Sequence, residues 1–226
     1  MNEQSNRVGV FLPNLARLLF WLAGSSLFLG LFIKLTWELR EGDVGHLDQL
    51  ILVAMSRLRV PPLNSAAVEI TALGSLTLIF IFTSIGLLFL LLSRDHLGAI
   101  YLATGAGGAG IWAYALKYFF PRGRPTMVPW LVEVSGSSYP SGHSLVATSF
   151  YLLLAFLACR HYHSTRARLA IFAVAFSLIA AVCMSRLYLG IHYPSDVVGG
   201  VFFGMAWTFL ITGILLSRSR REPEVL

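Results

Sequence analysis

Two histidines, one aspartate and three cations stand close together in the second half of the chain. His192 precedes Asp196 by four residues. At that spacing the carboxylate can accept the Nδ1–H of the imidazole, leaving Nε2 free as a nucleophile. His143 follows Pro140-Ser141-Gly142 and has no carboxylate so near in sequence, which suits it to general acid work. Lys117, Arg124 and Arg186 offer fixed positive charge. Arginine adds a planar donor fork that matches phosphate oxygens. The turn Ser141-Gly142-His143 sits where a helix starts, so free backbone N–H groups and the positive helix end favour an anion there. Gly142 lets the backbone come close to that anion. Together these residues suit phosphoryl transfer. One histidine attacks phosphorus, the other protonates the leaving oxygen, and the cations offset charge on the equatorial oxygens. The pattern holds no cluster of carboxylates suited to Mg²⁺, so a reaction without metal or cofactor is expected.

The elements that must position this set are apolar. Of 226 residues, 56% are hydrophobic and only 12% charged. Soluble proteins average about a quarter charged, so composition points to the integral membrane class. Six uncharged runs follow one another: 18–33, 70–92, 97–116, 144–159, 169–185 and 197–217. A crossing takes roughly 20 apolar residues. The expected fold is all-α, a bundle of six transmembrane helices forming one domain over 1–226, with the chemistry between 117 and 196. The short fourth run is expected to begin inside the polar turn before it. Between the first two runs, Leu47, Leu50, Ile51, Ala54, Met55 and Leu58 recur at helical spacing. They predict an amphipathic helix near 44–60, ended by Pro61 and Pro62, lying in the membrane interface or packed on the bundle.

In an alternating bundle, the end of the third run, the start of the fourth, the end of the fifth and the start of the sixth share one membrane face. Lys117, His143, Arg186, His192 and Asp196 therefore fall in one layer, where ionisable groups are costly unless paired or functional. The other face takes both termini and the remaining loops. It carries Arg7, Arg17, Arg94, Arg160, Arg166, Arg168, Arg218, Arg220 and Arg221 against Glu3, Asp95, Glu222 and Glu224. The opposite face carries eight basic residues, three of them in the chemical set, but seven acids, so the bias predicts cytoplasmic termini and a site on the extracytoplasmic (periplasmic) side of the plasma (inner) membrane.

Other features take plainer readings. The net charge of +6 fits cytoplasmic loops, and no basic stripe with interleaved aromatics suggests a nucleic acid partner. Cys159 and Cys183 read as inert thiols in apolar segments. The glycine-rich stretch 105–110 lacks the Lys-Ser/Thr ending of a phosphate loop and reads as close helix packing. Arg122 is expected to be a solvated charge or a headgroup contact. Glu69 reads as a structural residue or a partner for a cation. His161 and His163 read as loop residues, and Trp37, Trp112, Trp130 and Trp207 as interfacial or core aromatics. Arg218 to Arg221 reads as an anchor on anionic lipid. The first run, flanked by Arg17 and Lys34, reads as an uncleaved crossing.

Three motifs then carry a resemblance. Lys117-Tyr-Phe-Phe-Pro-Arg-Gly-Arg124-Pro125 has the form K-x6-R-P, Pro140-Ser141-Gly142-His143 is P-S-G-H, and Ser185-Arg186 through His192 to Asp196 has the form S-R-x5-H-x3-D. The chain resembles the type 2 phosphatidic acid phosphatase (PAP2) superfamily, the lipid phosphate phosphatases. The resemblance implies a six-helix core with its active site at the outer membrane face. It implies His192 as nucleophile, His143 as acid and Asp196 as orienting group, with Lys117, Arg124, Ser141, Gly142 and Arg186 as phosphate ligands. The expected activity is hydrolysis of the terminal phosphate of a lipid phosphate or diphosphate through a phosphohistidine. Undecaprenyl diphosphate, phosphatidylglycerophosphate and phosphatidic acid are the candidates. A lipid phosphotransferase using the same phosphohistidine is one alternative, and a non-hydrolytic transporter or scramblase is another. The expected partners are membrane lipids and the substrate itself, entering sideways from the bilayer beside 45–62. No obligate protein partner is expected.

Overall fold

Apolar composition lets each run become a helix, and capping groups decide where each one starts. The structure is a computed structural model that describes residues 3–216, with side chains described from 15 to 215. The side chain of Arg7 and the basic stretch Arg218 to Arg221 lie outside the described residues. Within them are eight helices and no strand: α1 (Glu3–Glu41), α2 (Gly45–Arg57), α3 (Pro61–Ala72), α4 (Leu76–Leu92), α5 (His96–Phe119), α6 (Gly142–Cys159), α7 (Thr165–Tyr188) and α8 (Pro194–Leu216). Pro61 and Pro62 occupy the first turn of α3, where a missing N–H costs nothing. Ser75, Asp95 and Ser141 cap α4, α5 and α6 through their side-chain oxygens. The fourth run thus begins at the polar turn, as its shortness predicts.

Among the described residues, five helices are each long and apolar enough to cross a membrane: Leu15–Glu41, His96–Phe119, Gly142–Cys159, Thr165–Tyr188 and Pro194–Leu215. The expected second crossing differs. Instead of one helix over 70–92, α3 and α4 meet at a 46° bend. The break has a local cause. The N–H groups of Leu73, Gly74 and Ser75 turn back onto Ile70, Thr71 and Ala72, and the Ser75 hydroxyl then caps Leu78 to restart the helix. Six crossings result only if this bent pair counts as one. Gly74 sits where the chain passes closest to α6 and α7; a Cβ there would lie 2.5 Å from Val182 Cγ1 and 3.3 Å from the carbonyl of His143.

The α6 helix is the centre of the bundle, packed between α5, α7 and α8, while α1 lies along α8. Its Leu145, Val146, Ala147, Phe150 and Leu153 are fully buried. Small residues bring the helices together as the glycine-rich stretch predicts. Gly105 faces Leu153, and Gly108 faces Trp207, whose Nε1–H donates to the Gly105 carbonyl at 2.8 Å. Trp112, Trp130 and Trp37 are progressively more exposed, and Trp37 donates to Glu41. Cys183 is buried and Cys159 half-buried, both as free thiols. His161, His163 and Glu69 are exposed.

The α2 helix matches the predicted amphipathic segment in place; it stops at Arg57, where Leu58 caps it, and Pro61 and Pro62 open α3 rather than end α2. Leu47, Leu50 and Leu58 point outward, as a membrane-interface helix requires. The inward side holds Leu52 and, against the usual pattern, the carboxylate of Asp48, only 2% exposed.

Candidate active site

The cations come from one loop and two helix ends. Lys117 ends α5, and its ammonium donates to the carbonyl of Ser137 at 3.1 Å. Arg124 threads the loop between α5 and α6. Its guanidinium donates to the carbonyls of Gly136, Ser135 and Ile191 at 3.1, 3.0 and 2.9 Å. The last bond ties that loop to the one bearing His192. Burial pulls the Arg124 pKa below the ordinary arginine value, and Asp196 opposes the shift. Arg186, in the last turn of α7, is 4% exposed. It donates to Thr71 Oγ1 at 2.8 Å, while its buried Nε–H has no acceptor within the protein. A buried orphan donor on a guanidinium is a group in want of an anion.

Ser141 caps α6, so the N–H groups of Gly142 and His143 open the helix without intrahelical acceptors. His143 lies in the electrostatic field of Arg186, His192, Lys117 and Arg124 together. Lys117 and Arg124 act on each other as well, and both act on Asp196. The two histidines and three cations that the sequence singles out thus lie within electrostatic reach of one another. A cleft of about 580 Å³ reaches it, lined by Gly74, Ala113, Tyr114, Lys117, Gly142 and His143. A cavity of about 600 Å³ at the other end of the bundle, walled by Trp21, Tyr101, Phe156 and Phe172, holds neither histidine.

His192 is 1% exposed. Its position depends on Gly190, whose φ of +78° turns the chain after α7 and whose bare Cα leaves room for Arg59 and the carbonyl of Pro129. The Nδ1 of His192 faces Asp196 Oδ2 at 3.4 Å, and the same oxygen accepts the Tyr193 N–H at 2.8 Å. An ionised carboxylate only accepts, so Nδ1 carries the proton and Nε2 the lone pair. Burial pushes the His192 imidazole down to about 4; the bond to Asp196 works against this, and Arg186 and Arg124 add to it. A neutral ring with its lone pair on Nε2 is the form a nucleophile needs.

Arg122 corrects one expectation. It is not a solvated charge or a headgroup contact. Its side chain is 23% exposed, and its fork is shared between Asp196 Oδ1 at 2.5 Å and Asp48 Oδ2 at 2.8 Å. Burial works against its charge, but Asp196 and Asp48 more than offset that and hold its pKa above the ordinary value. Asp48 escaped the sequence reading altogether. The available signal was its place at i and i+4 with Leu52, an acid on the face that must turn inward.

Comparison with known proteins assigns the chain to a family. The family model described as the PAP2 superfamily matches residues 96–220, more than half of the chain and all three motifs. The chain belongs to the PAP2 superfamily. Phosphatidylglycerophosphatase B of Bacillus subtilis is 31% identical over 192 residues, 83% of this chain and 92% of that protein. Lipid A 1-phosphatase of Rhizobium etli is 34% identical over 127 residues, 52% of this chain and 50% of that protein. Among solved structures, the transmembrane PAP2-type phosphatidylglycerolphosphate phosphatase from Bacillus subtilis superposes with a TM-score of 0.82 at 26% identity. It covers 88% of this chain and 99% of its own. Membership makes this PAP2 protein an integral membrane hydrolase of lipid phosphates.

Proposed function

We propose that this PAP2 protein removes the terminal phosphate of phosphatidylglycerophosphate or a closely similar lipid phosphate, with His192 as nucleophile and His143 as acid. The observation that carries the reading is the buried His192, its Nδ1 held against Asp196 Oδ2 so that Nε2 is left free. In the first step the Nε2 lone pair attacks phosphorus as the bond from phosphorus to the lipid oxygen breaks. His143 gives its proton to that oxygen. A bound phosphate supplies the negative charge that lets His143 hold a proton beside three cations. The phosphorylated ring gains positive charge, which Asp196 offsets through Nδ1–H. In the second step water attacks phosphorus, His143 takes the proton back, and the P–N bond breaks to return neutral His192 and free phosphate. Lys117, Arg124, Arg186 and the opening N–H groups of α6 bind the phosphate oxygens, with Ser141 holding that turn.

The chain acts as one domain, with its site facing the periplasm and both termini in the cytoplasm. The arginine bias of the opposite loops supports this orientation. Substrate enters from the bilayer. The cleft lined by Gly74, Tyr114 and Lys117 supports access between the start of α4 and the end of α5, where Tyr114 and Tyr118 are exposed, rather than beside 45–62.

Among the candidate lipids, the glycerophosphate ester is favoured by the relative of that name covering most of both chains. The relative named putative undecaprenyl-diphosphatase YbjG, from Escherichia coli, is 33% identical over 41% of this chain. Purified protein should release free phosphate from phosphatidylglycerophosphate faster than from undecaprenyl diphosphate or phosphatidic acid. His192→Ala should release none. Transfer of the phosphate to an added lipid alcohol, without free phosphate, would overturn hydrolysis.

A further inference from the structure

Behind His192 lies a second layer of charge. Asp196 has two oxygens and gives only Oδ2 to the imidazole and the Tyr193 N–H. Oδ1 is taken by Arg122. The other arm of Arg122 reaches Asp48, and its guanidinium carbon lies 4.2 Å from the centre of the Tyr193 ring. Asp48 in turn accepts the backbone N–H of Ser195 at 2.9 Å and its hydroxyl at 2.5 Å, and Ser195 Oγ also accepts from Arg122 at 2.8 Å. The contacts close a ring around the first turn of α8. A carboxylate there also faces the positive end of the helix dipole. It comes from α2, 147 residues away in sequence.

We infer that Arg122 and Asp48 are positioning residues for the His192–Asp196 pair, fixing the carboxylate that aims the nucleophile and making α2 part of the active-site framework. The inference rests on the reading of His192 as nucleophile. A carboxylate bonded at one oxygen can swing about its last torsion; one bonded at both cannot. Arg122 supplies the second bond, and Asp48 keeps Arg122 from drifting toward Asp196 alone. The ring carries two negative charges and one positive, so each member also sets the field felt by the imidazole. The groups facing His192 are Asp196, Arg186 and Arg124, with His143 across the site. Loss of Arg122 leaves more of Asp196's negative charge uncompensated and strengthens proton binding at His192. Loss of the Asp48 charge has the opposite sign. A pair that merely stapled α2 to the bundle would not shift the imidazole in opposite directions.

The test uses the full chain in mixed micelles, with Arg122→Gln, Arg122→Lys, Asp48→Asn and the Gln/Asn double variant. Phosphate release is measured across pH and thermal unfolding alongside. Arg122→Gln should lose about a hundredfold in kcat with KM little changed, the size expected for a misaimed nucleophile. Its acid limb should move to higher pH, and Arg122→Lys should recover part of the rate. Asp48→Asn should lose less and move its acid limb to lower pH. The double variant should be no worse than the worse single one, because the residues act as one unit. Wild-type kcat and unmoved limbs in Arg122→Gln and Asp48→Asn would overturn the inference. So would rate losses that only follow the folded fraction. If Arg122→Gln does not fold, the profiles of Arg122→Lys and Asp48→Asn decide. His192→Ala separates the two readings. Turnover in that variant sinks the nucleophile assignment, whereas a dead His192→Ala beside unaltered Arg122 and Asp48 variants sinks only the positioning roles.

Discussion

The backbone N–H of Ser141 donates to the carbonyl oxygen of Asp196 across 2.9 Å. This bond joins the turn that opens α6, bearing His143, to the turn that opens α8, which follows His192. The relative placement of the two imidazoles is therefore set by main chain. Rotamers could adapt to a small packing error; this bond could not.

Gly200 guards that junction. A Cβ there would come within 2.5 Å of the Ser141 carbonyl and 3.0 Å of Ser144 Cβ. Gly200→Ala should cost about 1–3 kcal/mol of stability, as overpacking does. It should also reduce kcat by prising the two turns apart. Thermal unfolding together with turnover checks this. An unaltered melting point with full activity would mean that α8 has slack against α6.

The imidazole of His192 should stay neutral at ordinary pH. Its pKa of about 4 is depressed by burial. A ring that must be unprotonated to attack loses function only as pH falls through that value, and its state is constant above it. Nitrogen-15 NMR of labelled histidine should show an Nδ1–H tautomer from about pH 8 to about pH 5, a range in which an ordinary histidine titrates. A titration near the ordinary value would contradict the buried, neutral ring.

Arg186→Lys tests the phosphate grip. Lysine keeps the charge but not the planar fork, and Arg186 holds an unpartnered Nε–H beside a bond to Thr71. The variant should drop kcat/KM by about 10²–10³, the range for losing a donor that stabilises transferred charge. Vanadate, which mimics pentavalent phosphorus, should inhibit it less tightly. Equal vanadate inhibition of the two proteins would remove Arg186 from the phosphate.

Chelation should leave turnover intact. The two buried carboxylates nearest the histidines, Asp48 and Asp196, are both committed to Arg122. Among the described residues, no group of three His, Cys, Asp or Glu side chains is arranged to hold a metal ion. Phosphate release in excess EDTA is the measurement, and loss of activity restored by Mg²⁺ would refute the cation-only site.

Much of the architecture was legible because it is local. Apolar run lengths located the helices, and the Ser141 turn located the start of α6. The bend within the second run was not legible, because hydropathy does not register a hydrogen-bonding interruption. Thr71, Gly74 and Ser75 are uncharged, so the run looked continuous while its backbone turned. The ion pairs of Arg122 are not legible in sequence, where two arginines two residues apart look alike, yet only Arg122 extends to Asp48.

The amino-acid sequence alone determined the membrane class, the layer in which the ions collect, and the residues suited to phosphoryl chemistry. Those follow from composition, spacing and the count of crossings, which are properties of the chain as a string. Tertiary structure decided which side chains meet. The bend between α3 and α4, the sharing of Asp196 between His192 and Arg122, and the recruitment of Asp48 from α2 all depend on how helices distant in sequence pack. A contact between residues 48 and 195 is set by the fit of whole helices, and no periodicity along the chain encodes that fit.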